Sequence, residues 1–207
     1  MPDLPISQLP VSNTLTGVEL FADVQDSITK YTTLNDIYGF VTSSAPGLGG
    51  SGFGWARYDD TQYTTSSFLS VTGSSNVVIP NNAGFSITTY MNSAIPFYNS
   101  TTKKVQTQNV GDVYTMIVTF KAKAPNANQT HIDISLASTG ATPYDRVSKS
   151  LTFAKGNNEW QNFYESFNFY ADIDFVTNGN QWKIYAIGGD IDIAGAIYFI
   201  QRTFNAG

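Results

Sequence analysis

Residues 111–123 read GDVYTMIVTFKAK. Tyr114, Met116, Val118 and Phe120 fall on one face of this stretch, and the residues between them fall on the other. A period of two, carried by β-branched and aromatic side chains, is the signature of a strand with one face in a core. The pattern recurs downstream. THIDISLAS (130–138) sets Ile132, Ile134 and Leu136 against His131, Asp133 and Ser135. RVSKSLTFAK (146–155) sets Val147, Lys149, Leu151 and Phe153 against Ser148, Ser150 and Thr152. NFYESFNFY (162–170) places Phe163, Glu165, Phe167 and Phe169 together, and QWKIYAI and IDIAGAIYFIQRTF follow. Between the strands lie clusters such as VTGSSN, PNNAG, STGATP and VTNGN, whose Gly, Asn and Pro residues suit turns. Strands at this spacing predict an all-β, antiparallel sandwich or barrel. No helical periodicity runs beyond two turns, and no internal repeat stands out.

The composition agrees. The chain has 207 residues, enough for one large domain or a domain with an appendage, and should bury roughly 70% of its unfolded surface. Charged residues are only 13% and aromatics reach 14%, so Ser, Thr, Asn and Gln carry the polarity. Such sparse charge suggests that other subunits cover much of the surface. The net charge is −5, with 11 scattered Lys and Arg, a poor footprint for nucleic acid or an anionic membrane. There is no cysteine, which removes disulfides and thiolate metal sites. No apolar run approaches the length of a membrane span, and Asp3, Pro5 and Pro10 argue against a secretory leader.

Residues 1–41 differ from the rest. Their apolar residues follow neither period cleanly and are too few for a separate core. GVELFADVQDSITKYTTL (17–34) is the most strand-like part, and Thr33 or Asn35 could cap a helical turn after it. This segment reads as an extended arm that lies on a partner. TSSAPGLGGSGFG (42–54) reads as a flexible linker or a long surface loop, with Gly47, Gly49, Gly50 and Gly52 as the hinge. The β domain then spans 55–207.

Candidate chemistry is sparse. His131 is the only histidine, and no nucleophile-elbow motif accompanies it, so no catalytic residue is assigned. Paired carboxylates at Asp59–Asp60, Asp172–Asp174 and Asp190–Asp192 could offer oxygen ligands to calcium, but none has the spacing of a twelve-residue calcium loop. No metal or cofactor is expected. NST (99–101) and NQT (128–130) read as turns. Tyr164 and Tyr170 lie opposite Phe163, Phe167 and Phe169, so both faces of that strand are greasy. Another subunit, a ligand or strand curvature would explain that. Trp160, Tyr164 and Tyr170 are the rings that could stack on a glycan.

The opening ISQLP (6–10), LTGVEL (15–20), VQDSITK (24–30) and TTLNDI (32–37) resembles a segment found at the N-termini of tailed-bacteriophage virion proteins. Asp26-Ser27 departs from the glycine common there. More loosely, the β region resembles the trimeric jelly rolls of phage decoration proteins and fibre heads, with AIYFIQRTF (196–204) as the final strand. The resemblance implies a jelly-roll-like homotrimer on the outer capsid surface. Ile6, Leu9, Leu15, Leu20, Val24 and Leu34 would then anchor it to a major capsid protein or another virion protein. A tail-fibre or lectin-like module contacting host glycan is the alternative.

Overall fold

The computed structural model describes residues 20–25, 28–33, 53–91, 93–125, 131–154 and 158–206. The chain divides into two units, Met1–Gly49 and Gly50–Gly207. In the first unit, β1 (Leu20–Gln25) pairs antiparallel with β2 (Ile28–Thr33), from Leu20 opposite Thr33 to Gln25 opposite Ile28. The segment that reads as one strand and a helical turn is, over its described part, a hairpin. Thr33 ends β2, and the helical turn expected after it lies outside the described residues. The Ile, Thr and Tyr residues of ITKYTT favour a pleated ribbon over a helix. Ile6, Leu9, Leu15 and Leu34 lie outside the described residues, as do the hinge glycines 47, 49, 50 and 52.

The second unit is a jelly-roll-like sandwich of two antiparallel sheets. Its strands are β3 (Gly54–Asp59), β4 (Leu69–Val71), β5 (Asn76–Val78), β6 (Phe85–Ile87), β7 (Tyr98–Asn99), β8 (Lys104–Val105) and β9 (Val113–Lys123). They continue with β10 (His131–Ser138), β11 (Asp145–Thr152), β12 (Gln161–Tyr170), β13 (Asn180–Ile187) and β14 (Ile191–Phe204). The front sheet has the order β12-β9-β14-β3-β6, with β4 also on β14. The back sheet has the order β11-β10-β13-β8-β7, with β5 also on β13. From β9 onward the chain crosses between sheets at every connection except the β10–β11 hairpin. The closing strand β14 is not peripheral: it lies between β9 and β3.

The core follows the alternation. Tyr114, Met116, Val118 and Phe120 on β9 are buried, as are Ile132, Ile134 and Leu136 on β10. Phe167 meets Trp182 of β13 with ring centroids 4.7 Å apart, and Phe120 stacks on Phe163 at 5.2 Å. Each such ring, once buried, contributes roughly 1.5–3 kcal/mol. The core side of β12 also carries Glu165, opposite Val118, and the core side of β11 carries Lys149, opposite Ile134. The two pair with each other where β11 and β12 form the open edge of the sandwich. Two charges at apolar-phase positions are thereby satisfied.

Three local features fix the ends of this frame. Gly54 opens β3 and does not belong to the linker. A Cβ there would lie 2.1 Å from the Met91 carbonyl oxygen, because Trp55 N–H bonds the Tyr90 carbonyl alongside. A six-residue helix α1 (Ile173–Asn178) links β12 to β13, capped by Asp172, whose carboxylate accepts from Phe175 N–H. The Arg146 guanidinium forks onto the same carboxylate at 2.9 Å through both Nη atoms and holds its pKa down at about 2. Finally, Arg202 on β14 is buried against Asp112, Nη1 to Oδ2, at 3.3 Å. Asp112 also accepts from Tyr114 Oη and from the N–H groups of Asn109 and Ala206, tying the residues after β14 back to the start of β9.

Candidate functional sites

The paired carboxylates read as cation ligands are committed elsewhere. Asp59 takes a fork from Arg57 at 2.7 and 2.8 Å. Asp60 accepts three backbone N–H groups, from Gln62, Tyr63 and Asn82. Asp172 caps α1, and Asp174 accepts from Ser138 and Asn178. Asp192 accepts from Ser70 and pairs with Lys123, and Asp190 accepts from Gly73 N–H. Among the described residues no cluster of three acidic or histidine side chains could hold a metal. His131 opens β10, half-buried, opposite Thr152 and Ile187. Asn99 forms a turn, its side-chain oxygen accepting from Thr101 and Thr102 N–H.

Two outward faces remain. On the front sheet, register places Ser166, Ile117, Phe199, Arg57 and Ile87 in one row across the strands. The next row runs Tyr164, Thr119, Ile197, Asp59 and Phe85. Trp55 stacks on Phe199 at 5.5 Å and on Tyr90 at 5.0 Å. The middle of this face is thus apolar and aromatic, and its one cation and one anion, Arg57 and Asp59, neutralise each other.

The three rings expected to contact glycan all belong to β12 or its approach. Tyr164 and Tyr170 are both well exposed, at 65% and 60%. Six residues of strand separate them by about 20 Å. Trp160 is half-buried and meets Phe68 edge-on at 5.9 Å, with the Lys123 ammonium 5.2 Å above its ring. The three rings therefore do not converge on one platform.

The outward face of the back sheet is different: polar and concave. Ser150, Asp133, Tyr185 and Asn76 align across β11, β10, β13 and β5. Ser148, Ser135, Lys183 and Val78 form the neighbouring row. Together they shape a trough of about 400 Å³, with Asp145 and Lys149 also on its lining. Ser135 is only 8% exposed although it sits in the outward row, between Ser148 and Lys183. Ser150 Oγ donates to the Asp133 carboxylate. A second groove of about 410 Å³ runs along the β11–β12 edge, shares Ser150, and is bordered by Tyr164. The alternation in HIDISLAS and RVSKSLTF already places these serines outward. QWKIYAI likewise sets Tyr185 opposite Trp182 and Ile184. That these side chains enclose a trough depends on register across four strands, which no single stretch reveals.

No protein-family model matches the chain. No curated protein matches it either. Among solved structures, Eiger TNF from S. frugiperda is similar at 13% identity and a TM-score of 0.49, over 75% of this chain and 96% of that one. The PRD1 vertex protein is similar at 13% identity and 0.45, over 79% and 92%. A carbohydrate-binding module of Cellvibrio mixtus lichenase 5A, in complex with cellotriose, is similar at 12% and 0.32, over 72% and 97%. At this distance none carries a function across.

Proposed function

We propose that the chain is a structural protein of a tailed-phage virion that decorates and stabilises the outer capsid. Residues 1–41 attach to the major capsid protein, with Ile6, Leu9, Leu15, Leu20, Val24 and Leu34 as apolar contacts. The sandwich projects as a homotrimer, and its role is attachment and reinforcement without catalysis. The observation that carries this reading is the outward face of the front sheet. Half-buried Ile117, Ile197, Phe199 and Trp55 sit at its centre, and its central ion pair is internally satisfied. Such a face is rich in the residue types that interface cores favour, and its two charges would enter an interface already paired with each other. Three copies packed through it would join three N-terminal segments in one particle. A two-stranded hairpin is marginal in water by itself, so β1–β2 gains most from adding to a partner surface. Three weak attachments then reinforce one another through high effective concentration.

Two experiments test the reading. Light scattering during gel filtration is expected to give three times the chain mass, and Phe199→Glu is expected to give one. Deleting residues 1–41 is expected to leave a folded trimer that no longer binds expanded capsids. Decoration of capsids at full occupancy by the truncated protein would overturn the anchoring role.

A further inference from the structure

We propose that the outward face of the back sheet binds a neutral, hydroxyl-rich oligosaccharide, in the trough floored by Asp133 and Ser135 and walled by Tyr185. The trough lies on the sheet opposite the self-association face, and none of its lining residues belongs to that face.

The shape comes first. β11 is the edge strand of the back sheet, and its outward positions at 148 and 150 are serines. Small side chains there leave an open shelf, while Tyr185, two strands away, stands 36% exposed. An aromatic wall beside a shelf of hydroxyls offers a sugar both things it needs. The apolar face of a pyranose ring can lie on the tyrosine ring. Its hydroxyls, each donor and acceptor, can meet the Asp133 carboxylate, the Asn76 amide and the serine hydroxyls.

The charge pattern narrows the class. Asp133 and Asp145 both line the trough, while the lining cation Lys149 is engaged by Glu165. Lys183, beside Ser135 in the register, leaves the local balance negative. Phosphate and acidic saccharides are therefore disfavoured, whereas neutral hydroxyls gain a charge-assisted acceptor. The extent narrows it further. The trough meets the edge groove at Ser150, so a linear ligand can continue over β11 towards Tyr164. An oligomer fills this path and a single sugar does not.

The test uses the full-length protein in native gels cast with soluble polysaccharides: neutral β-glucan, galactomannan and arabinoxylan on one side, alginate and hyaluronate on the other. Retardation by at least one neutral polymer, and by neither acidic one, is expected. Tyr185→Ala and Ser148→Tyr, which remove the wall and fill the shelf, should each weaken it at least tenfold. Tyr170→Ala, on the front sheet, should leave it unchanged. Both substituted trough positions are exposed, so near-UV circular dichroism and the trimer mass should match the parent protein. Absence of retardation by every neutral polymer overturns the proposal, as does retardation that survives both trough substitutions. Because no capsid is involved, the outcome is independent of the virion assignment.

Discussion

Asp112→Ala is expected to be among the most damaging single changes in the sandwich. Arg202 and Asp112 are 1% and 0% exposed at their side chains, 90 residues apart in sequence. Removing the carboxylate leaves the guanidinium in the interior beside Gln108 and the Phe97 ring, with no anion from Asp112. It also strips acceptors from Tyr114 Oη and from Asn109 and Ala206 N–H. Breaking a buried pair from one side costs about 3–5 kcal/mol. A domain of this size loses about 2–4 °C of melting temperature per kcal/mol, so a fall of about 6–20 °C is expected. Arg202→Met should cost a similar amount, since it leaves the Asp112 carboxyl buried without its guanidinium partner. The double variant should cost less than the two singles combined, by about 0.5–3 kcal/mol. Urea unfolding of the four proteins, followed by tryptophan fluorescence, measures the cycle. If Asp112→Ala falls within about 1 kcal/mol of the parent, or if the two costs simply add, the pair is not the tie described.

Three further outcomes follow from other contacts. The Asp172 carboxyl, held at about 2 chiefly by the Arg146 hydrogen bonds, sits below its ordinary unfolded value of about 3.9. Its contribution is therefore complete above pH 4 and is lost as pH falls through 2. Asp172→Asn keeps a cap of comparable quality, and thermal melts from pH 5 to pH 2 should show a shallower acid decline for it. Gly54→Ala must displace the Met91 carbonyl, 2.1 Å from the new Cβ, and should destabilise by about 1–3 kcal/mol or more. Ile134→Ala, fully buried at the centre of β10, should cost about 2–5 kcal/mol in denaturant unfolding without changing the oligomer mass.

Much of the sandwich was legible because its strands obey a two-residue period. The faces of β9, β10, β11 and β12 follow directly from the alternation, including Glu165 among phenylalanines. What could not be read was the answer to that glutamate: Lys149 lies across the open edge, and only the fold brings the two together. Gly54 looked like one more linker glycine until the Met91 carbonyl was seen beside it. QRTF gave no hint that Arg202 is interior, since its partner lies before β9. The trough escaped for the same reason. Serines at alternating positions signal an exposed face, but concavity is a property of neighbouring strands. The exposed rings Tyr164 and Tyr170 were legible as outward, and their distance along β12 was not weighed against the size of a ligand.

The central place of β14 has a consequence for biosynthesis. Until residues 191–204 leave the ribosome, β3 and β9 have no strand between them. A nascent chain can form the β10–β11 hairpin early, but it cannot close the front sheet until residues 191–204 have been made. Prematurely terminated chains would lack both the sheet's middle and the apolar face that β14 contributes. Only copies with β14 in place could then present that face, a form of proofreading written into strand order.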